Sequence, residues 1–402
     1  MILVAFFMMI FFYSLVSRRL ERSVVTAPIL FSVGGMLLLL VAPGLRGMGG
    51  NRELFLRLAE MGLVMLLFSD ASRTDLQVLR SIRNLPARLL SAGMLLTILL
   101  GAVAAMTVFP GLSLLEAGIL AAILAPTDAG LGQVIVNSPQ VPMRIRQALN
   151  VEAGLNDGLC VPFLMCFIAL AQHSTEGAGT VLTRFIVEQL GYGVLVGAGI
   201  GLVGGYLLDT ARRKEWIATP LQQLGLVTLP VLCLITSEHV GASMFIAAFV
   251  CGLAVQVRLK EAGRHSLEFT ESWGRLLNDF VFFFFGLLVA GAWDQFTFAV
   301  VLYALLSLTV VRMLPVGIAL VGARLGTATV LFMGWFGPRG LASIVLGLVY
   351  LEKEAHLPGE PIIRLAVAAT VLLSIFAHGL SALPGINLYA RTLGMESQEP
   401  GK

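Results

Sequence analysis

Asp70, Asp128, Glu152, Asp157, Arg312 and Arg339 each stand inside or at the end of a long apolar stretch. A charge deep in hydrocarbon costs about 2.5–3.5 kcal/mol or more unless it is paired or hydrated, so each is a candidate for ion or proton chemistry. Asp128 lies in Ala125-Pro126-Thr127-Asp128-Ala129-Gly130. Pro removes a backbone donor and Gly tolerates unusual dihedrals, so the Thr-Asp pair is expected at a break in a helix. Unwound backbone and half-helix ends can bind ions at mid-membrane. The other reading is a proline kink with Asp128 capping a half-helix. Glu152, Asn156 and Asp157 lie in Asn150-Val151-Glu152-Ala153-Gly154-Leu155-Asn156-Asp157-Gly158. On a helix Glu152 and Asn156 share a face, while Asp157 stands about 140° round from Glu152. Glu152 can then face one partner and Asp157 a different cavity, unless the stretch is a wet loop. Arg339 lies in Gly334-Trp335-Phe336-Gly337-Pro338-Arg339-Gly340-Leu341-Ala342-Ser343, again bracketed by Pro and Gly. A buried Arg needs a partner, and Glu152 is the natural one; otherwise Arg339 snorkels to an interface. Arg312 is nearer a span end, where snorkelling, packing and function are all open. Asp70 follows Leu66-Leu67-Phe68-Ser69 and reads either as a site carboxylate or as a helix-end charge.

The elements that must position these residues are set by composition. Of 402 residues, 57% are hydrophobic and 13% charged, and the mean hydropathy is +0.89. Soluble proteins carry about 25% charged residues. An ordinary cytosolic enzyme, a nucleic-acid binder and a disordered chain are excluded. An all-α polytopic membrane protein is expected, and the net charge of +3 names no polyanionic partner. Apolar length and turn signals give about thirteen spans. They lie near 2–17, 25–43, 56–72, 87–109, 113–136, 147–172, 181–208, 221–237, 240–257, 274–292, 297–322, 326–351 and 362–390. Connections after odd-numbered spans hold most of the Lys and Arg, among them Arg18, Arg19, Arg22, Arg80, Arg144, Arg146, Arg212, Arg213, Arg258 and Lys260. The even ones hold Arg46, Arg52, Arg57, Arg184 and Lys353. Cytoplasmic loops carry the basic excess, so the N-terminus is expected outside and the C-terminus in the cytoplasm.

No signal peptide is evident, and no connection is long enough for a soluble regulatory domain. Cys160, Cys166, Cys233 and Cys251 all lie in apolar runs without metal spacing. Core packing is expected of them, with no disulfide, resident metal or cofactor. Gly193, Gly197, Gly201 and Gly205 recur at i+4, a smooth stripe for close helix contact. Pro126-Thr127-Asp128 falls in the fifth span and Pro338-Arg339 in the twelfth. Each is second from the end of a six-span block if 181–208 is a linker. The expected division is therefore repeat one over 1–173, the linker helix, and repeat two over 221–392. Matching broken helices in two halves point to a transporter site, and an odd linker inverts the second half.

Taken together, LVMLLFSDAS (63–72), APTDAG (125–130), NVEAGLNDG (150–158), GASMFIAAFVCGL (241–253), GWFGPRGLAS (334–343) and FAHGLSALPG (376–385) resemble the monovalent cation:proton antiporter family, in its electroneutral sodium/proton exchanger branch. The resemblance implies thirteen helices in inverted repeats, a homodimer in the cell membrane, and a core of spans four to six and eleven to thirteen moving against a dimerisation domain. It implies an ion site of Thr127, Asp128 and Asp157, with Asp70 as a further ligand. Asn156 would support the site, and Glu152 and Arg339 would be the structural ion pair. Ala153 departs from the pattern, because many relatives carry Ser there; water or a carbonyl must replace that hydroxyl.

Asp157 is expected to bind either a proton or a cation such as sodium. Burial favours the protonated carboxyl and a bound cation favours the carboxylate, so competition alone gives exchange, and alternating access carries the site across the bilayer. A potassium/proton exchanger with the same site is the alternative. An intramembrane carboxylate enzyme leaves Arg339 and the paired breaks unexplained, and an ion channel is a third reading.

Overall fold

The computed structural model describes residues 1–20, 23–45, 52–74, 83–172, 177–257, 263–353 and 356–394. Arg22, Arg46, Arg80, Arg258 and Lys260, which entered the orientation argument, lie outside the described residues.

The chain opens with α1 (Ile2–Leu20), α2 (Ala27–Val41) and α3 (Arg52–Arg73). Next come α4 (Asn84–Val108), the half-helices α5 (Leu114–Leu124) and α6 (Ala129–Val136), and α7 (Met143–Ala171). Then follow α8 (Gly179–Arg213), α9 (Thr219–Val240), α10 (Met244–Val255) and α11 (Gly263–Gly291). The last elements are α12 (Phe298–Ala319), the half-helices α13 (Thr327–Trp335) and α14 (Leu341–Glu352), and α15 (Glu360–Thr392). Among the described residues eight helices are long and apolar enough to cross a membrane, and α2, α5, α10 and α14 are shorter apolar ones. The spans expected at 113–136 and 326–351 are each divided in two, at the Pro and Gly residues that signalled the breaks.

Local chemistry sets the boundaries. Ser113 and Glu116 form a reciprocal capping box at the start of α5, which satisfies donors that the first turn leaves open. Gly241 ends α9 at φ 67°, a left-handed conformation that suits Gly. That turn separates α9 from α10, close to where the expected spans divide. Thr309, at φ −106° and ψ −89°, interrupts α12 three residues before Arg312.

The helices pack in two groups. In one, α2, α3, α8, α9, α10 and α11 surround one another; in the other, α5, α7, α12 and α15 gather α4, α6, α13 and α14. The glycine stripe of α8 is a seam of the first group. A Cβ at Gly197 would stand 2.3 Å from the Ala247 carbonyl oxygen, and one at Gly201 2.6 Å from that of Cys251. No side chain fits there, so α8 lies backbone to backbone on α10. Helix α3 reaches across to α14, and α10 to α7, where the two groups meet.

Candidate functional site at the crossed breaks

The breaks after α5 and α13 expose four helix ends, and each end finds a partner, two of them across the crossing. Asp128 is the N-cap of α6: its Oδ1 accepts the N–H groups of Gly130 at 2.6 Å and Leu131 at 3.1 Å. Its Oδ2 accepts the N–H of Leu341, the first residue of α14. One carboxylate thus caps two half-helices, both of which present the positive end of their dipoles to it. The backbone N–H of Asp128 donates to the Pro338 carbonyl at 2.7 Å, tying one break to the other.

Arg339 serves the opposite polarity. Its Nη1 donates to the carbonyls of Ala125 at 2.7 Å and Pro126 at 2.9 Å, at the C-terminal end of α5. A cation there meets the negative end of that helix. The C-terminal end of α13 is held by His378 on α15, whose Nε2 donates to the Trp335 carbonyl at 2.9 Å. With that proton on Nε2, Nδ1 accepts from the Ser374 hydroxyl at 3.0 Å. Ser374 Oγ in turn accepts the Arg339 N–H at 2.6 Å.

This geometry explains the Gly-Pro-Arg-Gly run. A Cβ at Gly337 would lie 2.2 Å from Arg312 Nε, and one at Gly340 would lie 2.0 Å from Asp128 Oδ2. Each Gly therefore clears the path of a charged side chain from another element.

The expected pairing of Glu152 with Arg339 is corrected. Glu152 Oε1 accepts from Arg312 Nη1 at 2.6 Å. Both residues are buried, at 2% and 4% exposure, so Arg312 does not snorkel. The cause is the break itself, which commits Arg339 to the carbonyls of α5 and leaves the α7 carboxylate to the guanidinium of α12. Arg312 Nη2 also reaches the Met333 carbonyl at 3.5 Å, fastening α13 to the pair.

Asn156 and Asp157 sit on α7, 2% exposed each. Asn156 Nδ2 donates to Thr127 Oγ1 at 2.8 Å, so α7 holds the Thr of the break between α5 and α6. Asp157 makes no hydrogen bond with any described residue, and its Oδ1 is buried without a partner. The charges that bear on it are Asp128 and Asp70. Asp70 is half-buried on α3, in the electrostatic reach of Arg73, Glu271 and Arg275. The site thus brings together Thr127, Asp128, Asn156 and Asp157, with Asp70 approaching from the other helix group.

A small cavity of about 20 Å³, lined in part by Thr127, Asp128, Asn150, Ala153 and Pro338, adjoins these residues. That is room for about one water, at the side chain where a hydroxyl is missing. Among the described residues no cluster of three His, Cys, Asp or Glu is placed to hold a resident metal. Ser374 and His378 were not singled out by sequence reasoning; only the FAHGLSALPG stretch containing His378 was.

The profile of the family described as sodium/hydrogen exchanger, transmembrane, matches residues 2–385. A protein named K(+)/H(+) antiporter NhaP, from Alkalimonas amylolytica, is 26% identical over 93% of this chain and 64% of its own length. A Na(+)/H(+) antiporter of Schizosaccharomyces pombe is 25% identical over 69% of this chain and 65% of its own. The chain thus spans somewhat under two thirds of these relatives. In fold it is similar to the sodium proton antiporter MjNhaP1 of Methanocaldococcus jannaschii. That likeness has a TM-score of 0.73 at 21% identity, over 98% of this chain and 97% of the other.

Proposed function

The chain belongs to the sodium/hydrogen exchanger family of multi-pass membrane proteins, and we propose that it is a secondary antiporter exchanging sodium, or another monovalent cation, for protons. The observation that carries this reading is the Asp157 carboxyl, buried and without a hydrogen-bond partner. A bare carboxylate in such a place is strongly disfavoured. It is relieved by a proton or by a cation, and the two compete for the same oxygens. Thr127, the carbonyls at the break and one water beside Ala153 complete an oxygen environment suited to an alkali cation. Asp128 sets the field of the site while capping α6 and α14, and Asn156 fixes Thr127. Asp70 receives the ion from the side of α3.

Transport follows if the group holding the breaks moves against the group of α2, α3 and α8–α11, exposing Asp157 to one side at a time. The two divided helices support a pair of inverted repeats, 1–173 and 221–392, joined by the helix at 181–208. The basic excess after odd spans supports an outside N-terminus and a cytoplasmic C-terminus in the cell membrane, and the family resemblance supports a homodimer.

Potassium/proton exchange is the second reading, favoured by Ala153, which removes a hydroxyl and leaves a small cavity where a larger, more weakly hydrated cation can be met by water. The test is transport in proteoliposomes loaded with a pH-sensitive dye. Sodium, lithium and potassium are each added against an imposed pH gradient. Collapse of the gradient by one or more of them is expected, and the order of effectiveness decides between the readings. A gradient that no alkali cation dissipates overturns both.

A further inference from the structure

A groove of about 830 Å³ runs between the two helix groups, walled by α1, α2, α3 and α11 on one side and by α14 and α15 on the other. Its walls are apolar, with Phe284 and Leu288 from α11 and Leu348 from α14. Its polar side chains gather at one end, where α11 and α14 finish and α15 begins. There Glu360 and Arg364 stand one helical turn apart, both lining the groove. Arg364 is exposed and has no ion-pair partner among the described residues. Tyr350, at the same end, is 1% exposed, and its hydroxyl has no hydrogen-bond partner.

We propose that this groove binds a zwitterionic glycerophospholipid of the phosphatidylethanolamine type, with its phosphate on Arg364, its ammonium on Glu360 and its acyl chains along the apolar walls. An apolar groove of this size does not hold water favourably, and a polar solute leaves its walls unmatched. An amphipath with one polar end does match them. The charge pattern selects the headgroup. Side chains at i and i+4 stand about 5–6 Å apart, close to the two-carbon span between a lipid phosphate and its ammonium. The guanidinium fork suits a phosphate. A headgroup of net negative charge would set its surplus against Glu360. The lipid touches both helix groups, so its binding stabilises their association and raises the melting temperature.

The test uses purified, delipidated full-length protein in detergent, titrated with phosphatidylethanolamine or phosphatidylglycerol of identical acyl chains. Lipid retention by native mass spectrometry and melting temperature are both read. Wild type is expected to retain phosphatidylethanolamine in preference and to melt higher with it. Arg364→Ala should bind it about fivefold more weakly, the worth of one exposed ionic contact. Glu360→Gln should erase the preference between the two headgroups. Gly347→Phe should exclude both lipids by filling the groove. A Cβ there meets Val367 Cγ1 at 3.6 Å, an ordinary contact, so the backbone admits a side chain. Leu288→Trp, at a position 51% exposed, gives a second filling variant. Equal retention of the two lipids by wild type overturns the proposal. So does phosphatidylethanolamine binding that Arg364→Ala and both filling variants leave unchanged.

Discussion

Asp128 and Asp157 meet burial in opposite ways, and their roles follow from that. Both oxygens of Asp128 accept from N–H donors, contacts that favour the ionised form. Asp157 has no such partner. Asp157→Asn is therefore expected to abolish exchange in proteoliposomes without lowering the melting temperature, since no contact is lost with the charge. Wild-type rates in that variant would remove Asp157 from the carrier role. The Glu152–Arg312 pair behaves differently. Removing either member leaves a buried charge alone, and each single replacement should cost about 3–5 kcal/mol. Replacing both with Leu and Met should cost less than the sum. The readout is a double-mutant cycle of thermal melts; additive losses would count against direct pairing, and Arg339→Met should couple to Glu152 more weakly than Arg312→Met does. Sequence alone brought Glu152, Arg312 and Arg339 forward as charges in apolar spans, but it paired Glu152 with Arg339, and the structure pairs it with Arg312. Arg312 reads as nearer a span end, which made Arg339 the favoured partner. The choice depends on which guanidinium the main-chain break draws toward the carbonyls of Ala125 and Pro126.

At the level of elements, two interrupted helices hold each other's ends. Pro126, Pro338 and the glycines near them announced the interruptions, and the i+4 glycines of α8 announced a packed seam. The use of Ser374 and His378 was hidden, because the carbonyl that His378 caps becomes available only once α13 stops at Trp335. The purpose of Gly337 and Gly340 was hidden too. Their constraint is clearance for side chains from α12 and from the other break. Gly340→Ala should accordingly push the Asp128 carboxylate off the N-terminus of α14. A loss of about 1–2 kcal/mol, the worth of an N-cap, is expected in thermal melts, with a drop in transport. Gly132→Ala in α6 is the matched control. A Cβ there meets nothing within 4 Å, and replacing a helical Gly gains about 0.5–1 kcal/mol. If the two variants melt alike, the clearance argument fails.

For the whole molecule the question is how much charge crosses the membrane in one cycle. Three carboxylates bear on the site: Asp70, Asp128 and Asp157. The one-for-one cycle requires that Asp128, engaged by three N–H donors, keep its charge throughout. Asp70 is half-buried on α3, in the group against which the breaks move in the proposed cycle. In that cycle it hands the ion over and does not travel with it. Asn156, beside Asp157, is neutral and engaged with Thr127, so α7 carries one titrating group into the site. One cation then replaces one proton on Asp157, and the moving group bears the same net charge in both directions. Turnover should be indifferent to membrane potential. The contrast with the alternative is large enough to measure. If Asp70 or Asp128 also released a proton, one net charge would move per cycle. A potential of 100 mV would then contribute about 2.3 kcal/mol, a shift of roughly fiftyfold in the transport equilibrium. The measurement is sodium/proton exchange in proteoliposomes clamped at several potentials with potassium and valinomycin. Rates and end points that do not change across the clamped range are expected. An end point that tracks the imposed voltage would overturn the one-for-one cycle and place a second titrating carboxylate in it.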